Sequence, residues 1–239
     1  MLSISNYIQE QIEKAELGQI IQMKDFNVPM DKRIAMVKEL SRLAQKGVVK
    51  RLERGKYYKP KNTIFGELKP SESEVVNSVV KANNGYLSGI SMFNSLGLTS
   101  QIANTIEIVV SDFRPPKEIA GLKIKFRKSA VTIDSENRDI LPILDAFRYI
   151  AKIPDSTPDE CLKVLIEIVK SLNGIKKWLL LENAVKYNPS TRAVVGAVFE
   201  LNFPTFTVEN LYNSLNPLSV YRLGISNNIL PNKSKWKIE

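Results

Sequence analysis

Residues 31–60 constrain the fold of this chain more than any other stretch, because they join a basic amphipathic helix to a basic hairpin. Apolar residues recur at helical spacing until Gly47, which ends the pattern as a glycine cap does. Two short segments then flank a tight turn at Glu53-Arg54-Gly55. A helix followed by a two-stranded wing, both rich in Lys and Arg, is typical of a winged helix-turn-helix that binds DNA.

A helical wheel predicts which side of this helix faces DNA. The inner, apolar side is predicted to consist of four residues: Ile34, Val37, Leu40 and Ala44. The outer side is predicted to hold the charged residues and one small residue that allows close approach to a groove: Lys32, Ala35, Lys38, Glu39, Arg42 and Lys46. Glu39 either accepts a hydrogen bond from a cytosine or pairs with Arg42 three residues on.

The hairpin crowds four cations around a turn of a few residues, where like charges repel one another unless a polyanion neutralises them. For Tyr57 and Tyr58, which alternate along the second strand, we favour the core over DNA contact. Helix and hairpin together predict eight DNA-binding residues: Lys32, Arg33, Lys38, Arg42, Lys50, Arg51, Arg54 and Lys56.

The net charge of +9 is concentrated at the start of the chain. Residues 1–62 hold 13 Lys and Arg against 7 Asp and Glu, a net +6, and the remaining 177 residues hold 21 against 18, a net +3. A basic module attached to a nearly neutral part is the charge distribution expected of a nucleic-acid-binding protein.

The composition argues against most enzyme classes. The chain has no histidine, which removes His-based triads and most zinc sites, and its single cysteine, Cys161, excludes an intrachain disulfide and is expected to be a buried thiol. Two carboxylate groups, within 134–139 and 155–160, stand where helices begin, so we interpret them as helix caps. We therefore predict no enzymatic activity, no cofactor and no bound metal.

No apolar run approaches the roughly 18–20 residues needed to span a bilayer, and the N-terminus lacks the features of a signal peptide. We therefore expect a cytoplasmic protein with no membrane partner.

The whole chain is predicted to be an α+β protein with two domains. A winged helix-turn-helix occupies 1–62, and a mixed α+β domain that becomes mainly helical occupies 71–239, with a candidate sub-boundary near 135. Residues 59–70, rich in Pro, Lys and Gly, are predicted to be the linker. Ser71-x-x-Glu74 and Thr157-x-x-Glu160 are capping boxes that predict helix starts, and 106–110 and 122–128 read as strands.

Two segments resemble a known family. Leu40–Pro60, ending in Arg-Gly-Lys-Tyr-Tyr-Lys-Pro, and Gly85–Gln101, from Gly-Tyr-Leu-Ser-Gly to Leu-Gly-Leu-Thr-Ser-Gln, are similar in order and spacing to motifs of AbiEi-like antitoxins of type IV toxin–antitoxin (abortive infection) systems. The resemblance covers roughly residues 15–130. It implies a winged helix that binds double-stranded DNA at its own promoter and represses its own operon. It also implies a C-terminal part that antagonises a nucleotidyltransferase-like toxin without a stable complex.

Two other functions fit the same residues. The first is a winged-helix transcriptional regulator with a C-terminal effector-binding domain and no toxin partner, which a neighbouring gene for a nucleotidyltransferase-like protein would argue against. The second is a nuclease that uses the basic module as an anchor, which metal-dependent cleavage would reveal. We rank the nuclease last, because every carboxylate cluster has a capping explanation.

Overall fold

In the computed structural model, which describes residues 3–64 and 66–239, the chain divides into two compact units. Unit 1 contains the residues up to Lys81 together with Glu118–Leu122, and unit 2 contains Ala82–Lys117 and Lys123–Glu239. Helices and small sheets alternate along the chain, which confirms the predicted α+β class.

Unit 1 begins with a helix whose start is fixed by a side-chain cap. The hydroxyl of Ser3 accepts a hydrogen bond from the amide of Asn6 at 3.2 Å, which is the usual role of a serine at this position. The elements that follow are α1 (Ile4–Lys14), β1 (Ile20–Gln22), 3-10 turns at Met23–Asp25 and Met30–Lys32, α2 (Arg33–Gln45), β2 (Lys50–Glu53) and β3 (Lys56–Tyr58). The three strands form an antiparallel sheet in the order β1-β3-β2.

The predicted linker at 59–70 is wrong, because this segment forms a second hairpin. β4 (Lys61–Thr63) pairs antiparallel with β5 (Gly66–Leu68). The hydroxyl of Tyr58 donates to the carboxylate of Glu67 at 2.8 Å. Strands of three residues are too short to show an alternating pattern. The prolines and the glycine of the segment therefore favoured a linker over a hairpin.

α3 (Glu72–Asn83) begins with the predicted capping box, in which the Ser71 hydroxyl accepts from the amide of Glu74 and the Glu74 carboxylate accepts from the amide of Ser71. The helix belongs to unit 1 as far as Lys81, so the compact units change about ten residues after the predicted start of the second domain at 71. The predicted domains, 1–62 and 71–239, remain predictions about which segments fold independently.

Unit 2 contains most of one mixed sheet, whose strand order is β6-β7-β9-β8, and a group of helices. β6 pairs antiparallel with β7, and β7 pairs parallel with β9. The elements are β6 (Tyr86–Ser88), α4 (Gly89–Ser95), β7 (Ile106–Val110), β8 (Lys117–Ile119), β9 (Leu122–Lys128), α5 (Leu141–Tyr149), a 3-10 turn (Ile150–Lys152), α6 (Pro158–Ser171), α7 (Gly174–Ala184), α8 (Pro189–Asn202) and α9 (Glu209–Asn213).

The core of unit 2 is built around α5 and α8, whose side chains are buried along most of their lengths. Phe147, Phe199 and Trp236 are its largest fully buried side chains. Cys161 lies in this core at 1% exposure, as predicted, and burial raises the pKa of its thiol. Among the described residues, no helix has the length and apolar character needed to cross a membrane.

Candidate nucleic-acid interface

The helix α2 is rotated relative to the predicted wheel by roughly one residue, or about 100°. Ile34 and Val37, predicted to face the core, are 71% and 40% exposed. The buried residues are instead Met36, Glu39, Leu40 and Leu43. The sequence allowed both orientations, because Met36, Leu40 and Leu43 follow the same helical spacing as the predicted stripe.

The predicted outer-face residue Glu39 is therefore inside, where its charge is satisfied by two neighbours. The Arg42 guanidinium donates to both carboxylate oxygens of Glu39, and the amide of Gln9 on α1 donates to one of them at 2.9 Å. Of the two alternatives for Glu39, the structure shows the pair with Arg42. Arg42 is thus paired within its own helix, with part of its side chain still exposed, while Gln9 connects Glu39 to α1.

Glu39 makes the stability of unit 1 depend on pH. The hydrogen bonds from Arg42 outweigh burial and lower the pKa of Glu39 from 4.5 to about 2. A depressed pKa in the folded state contributes stability that is complete above about pH 4.5 and is lost as the pH falls towards 2. We expect Glu39→Gln to lower the free energy of unfolding by about 1 kcal/mol at pH 7 and to have a clearly smaller effect near pH 2.

Urea unfolding of the full chain and the variant between pH 7 and pH 2 measures this difference. Glu10→Gln is the matched control, because Glu10 forms an exposed i,i+4 pair with Lys14 and should change stability little at any pH. If the difference in the free energy of unfolding between Glu39→Gln and the unchanged chain stayed constant down to pH 2, the lowered pKa of Glu39 would be contradicted.

The exposed face of α2 centres on four residues at i, i+4, i+7 and i+11, which we call the outward line: Ile34, Lys38, Ser41 and Gln45. All four are exposed, and Arg33 and Val37 flank this line on one side. The opposite face packs through Met36, Leu40 and Leu43 in the same core as Val49 and Tyr57. Helix and hairpin are therefore held by one core, with the outward line free of packing.

The eight predicted DNA-binding residues divide into two groups. Three of them pair with carboxylates: Arg42 with Glu39, Lys50 with Glu67, and Lys56 with Glu53 at 2.7 Å. Lys56 is also buried, so its side chain is not presented at the surface as a DNA contact requires. Five are exposed, and their side chains form no hydrogen bond or ion pair with residues 3–64 or 66–239: Lys32, Arg33, Lys38, Arg51 and Arg54.

The β2–β3 hairpin places its arginines at the surface. Gly55 has φ +76°, a left-handed conformation that closes the turn after Arg54 and that a larger residue would adopt only with strain. The pairing of β2 with β3 shifts between Arg51 and Glu53, which marks a bulge before the turn. Tyr57 and Tyr58 are both buried, as favoured from the sequence.

The Gly85–Gly89 motif belongs to a buried polar network in unit 2 that the sequence did not reveal. Asp145 on α5 is fully buried, and it accepts hydrogen bonds from Ser88 at 2.8 Å, Tyr86 at 3.1 Å and Tyr187 at 3.3 Å. The Arg127 guanidinium forms an ion pair with the same carboxylate. The network therefore ties β6 and β9 to α5.

Charges in this network shift the pKa values of its members. Burial and the charge of Asp145 raise the pKa values of Tyr86 and Tyr187 above the ordinary range. Burial alone would lower the pKa of Arg127, yet Asp145 and Glu107 raise it. Both tyrosines therefore stay protonated and donate to a charged partner.

The prediction of helix caps is confirmed for one of the two carboxylate clusters. Glu160 accepts from the amide and hydroxyl of Thr157 in the capping box that begins α6. The cluster at 134–139 does not cap a helix, because α5 begins at Leu141 without a side-chain cap, and Asp134 instead accepts from the amides of Glu136 and Asn137 in the preceding turn. Within residues 3–64 and 66–239, no group of three or more Asp, Glu, Cys or His residues could hold a metal ion.

Unit 2 also has an apolar cleft of about 380 Å³ between α7 and the segment at 206–211. Trp178, Leu181, Val185 and Phe206 line it, and Trp178 is 55% exposed. Its size is within the range of small-molecule sites.

The chain belongs to the family of unknown function DUF6088, which matches residues 7–171. Its fold is similar to that of the RV2827C protein from Mycobacterium tuberculosis, known from a crystal structure. The match has a TM-score of 0.52 and 11% sequence identity, and it covers 90% of this chain and 83% of that one. No curated protein matches the chain.

Proposed function

We propose that this protein is a transcriptional regulator that binds double-stranded DNA at its own promoter. The observation that supports this most is the group of five exposed, unpaired cations on α2 and the adjoining β2–β3 hairpin: Lys32, Arg33, Lys38, Arg51 and Arg54. Cations held on one rigid core, with no carboxylate partner among the described residues, match the charge pattern of a phosphate backbone.

We infer that residues 3–58 form a winged helix-turn-helix. The element order α1-β1-turns-α2-β2-β3 and the sheet order β1-β3-β2 support this assignment. α2 then enters the major groove as the recognition helix, while the hairpin lies along the backbone as the wing.

The arginines of the hairpin and the side chains of the outward line then have different roles. Arg51 and Arg54 neutralise phosphates, which gives affinity without sequence preference. The outward line of α2 reads base edges, since Lys38 can donate to guanine and Gln45 can bind adenine through two hydrogen bonds. Glu39 accepts a hydrogen bond from Gln9 of α1, which together with the core residues of α2 sets which residues face the groove.

Footprinting of the full-length protein on the DNA upstream of its own gene tests the proposal. A protected segment whose protection weakens as salt is raised supports it. The absence of any protected segment at low salt would exclude promoter binding.

We further propose that the protein is an antitoxin that antagonises a nucleotidyltransferase-like toxin, and that this activity resides in residues 71–239. Support comes from the motif resemblance at Leu40–Pro60 and Gly85–Gln101. Unit 2 has a core of its own, so its surface is available for a separate task.

We expect antitoxicity to survive the loss of DNA binding. A Lys38/Arg51/Arg54 triple-Ala variant, expressed with the toxin from a promoter that the protein cannot repress, should restore growth as the full chain does. An empty vector is the control for toxicity. Failure of this variant, if it is folded, would mean that protection is only transcriptional repression.

A regulator with an effector and no toxin is the alternative function. The apolar cleft at Trp178, Leu181 and Phe206 is the feature that favours it. Growth that does not depend on the protein when the neighbouring gene is expressed would support this alternative.

A further inference from the structure

The N-terminal half of α2 exposes apolar side chains at the centre of a cationic surface. Ile34 is 71% exposed and Val37 is 40% exposed. Arg33 and Lys38 lie beside them, and both are exposed. A ligand that fits this surface must be apolar in the middle and anionic at the edges.

The major groove of DNA offers this combination at one base. Every base edge there presents hydrogen-bonding groups, and thymine alone adds a methyl group, at C5. Phosphates border the groove on both sides and would meet the flanking cations. We infer that Ile34 and Val37 bind thymine C5-methyl groups, so that the operator has thymines opposite the first turns of α2. This inference rests on the proposed DNA-binding function.

The position of the two residues agrees with this assignment. The N-terminal residues of a recognition helix are those that contact base edges, and Ile34 is the second residue of α2. Two charged side chains of the helix are unavailable to these bases, since Arg42 and Glu39 bind each other. Lys38, Ser41 and Gln45 remain to read polar edges further along the helix.

A protein partner fits the same surface less well. The cores of protein interfaces are depleted of charged residues, whereas the charged side chains of Lys32, Arg33 and Lys38 surround Ile34 and Val37. Such a partner would have to neutralise these cations while covering only a narrow apolar strip.

Replacement of thymine by deoxyuridine tests the inference, because it removes the C5-methyl group and leaves base pairing intact. The bound sequence is first selected from a random duplex pool with the full-length protein. That duplex is then compared with its deoxyuridine counterpart. We expect affinity to fall about fourfold for each contacted methyl group. Ile34→Ala should bind the thymine duplex more weakly and lose most of this discrimination.

Ile175→Ala is the matched control, since Ile175 is 73% exposed and is the second residue of α7. It should keep the thymine preference of the full chain. Equal binding of both duplexes by the full chain would overturn the inference and leave the proposed function intact. Recovery of no duplex from the pool would overturn the proposed function itself. Ile34→Ala that alters self-association but not DNA affinity would identify a protein contact and overturn the inference.

Discussion

Asp145→Ala is expected to lower the free energy of unfolding by about 3–5 kcal/mol, because it breaks a buried ion pair. Asp145 is fully buried and is the shared acceptor for Tyr86, Ser88, Tyr187 and Arg127. Its removal leaves a largely buried guanidinium without one of its two carboxylates. It also deprives buried hydroxyls of their acceptor, and each such loss is costly.

Urea unfolding followed by circular dichroism measures this effect. Asp139→Ala is the matched control, because its side chain is 71% exposed and its pair with Lys176 should contribute well under 1 kcal/mol. Adding Arg127→Met to Asp145→Ala should restore part of the lost stability, since it removes the charge left behind. A loss below about 1 kcal/mol for Asp145→Ala would show that the network is not a main source of stability.

The Arg51→Ala/Arg54→Ala double variant should bind its DNA about 30-fold more weakly near 0.15 M salt, and the slope of log affinity against log salt should fall by about two units. Both arginines are exposed and unpaired within the described residues, so the substitutions should leave the fold unchanged. Because phosphates carry no sequence information, all duplexes should be weakened about equally. Fluorescence anisotropy at several salt concentrations measures both quantities.

Arg114→Ala/Arg222→Ala provides the control for net charge. These arginines are exposed in unit 2, and their loss changes the charge of the chain by the same amount. An equal loss of affinity in both double variants would mean that the overall charge, rather than the hairpin, attracts DNA.

Local chemistry made some parts of this structure predictable. The caps at Ser71 and Thr157 follow from hydrogen bonds between residues three positions apart, so the sequence reveals them directly. The strand at 122–128 follows from its alternation. The hairpin at 61–68 was not predicted, because its three-residue strands are too short to show alternation.

The sequence did not reveal which side of α2 faces the core, because two sets of apolar residues on this helix have helical spacing. The side that is buried is the one that contains the carboxylate of Glu39. Glu39 is tolerated there because Gln9, thirty residues earlier, and Arg42 bind its oxygens. The Asp145 network was hidden for the same reason, since Tyr86, Arg127 and Tyr187 are far apart in the chain and are joined only by the fold.

On α2, the residues that pack in the core are different from those that face outward. Ile34, Lys38, Ser41 and Gln45 take no part in the core, so substitutions there should change stability by no more than about 0.5 kcal/mol. Under the proposed function, gene duplicates would acquire different operators through changes at these four positions while they keep Glu39 and Arg42. Related copies in one genome would avoid cross-regulation without having to remodel the fold.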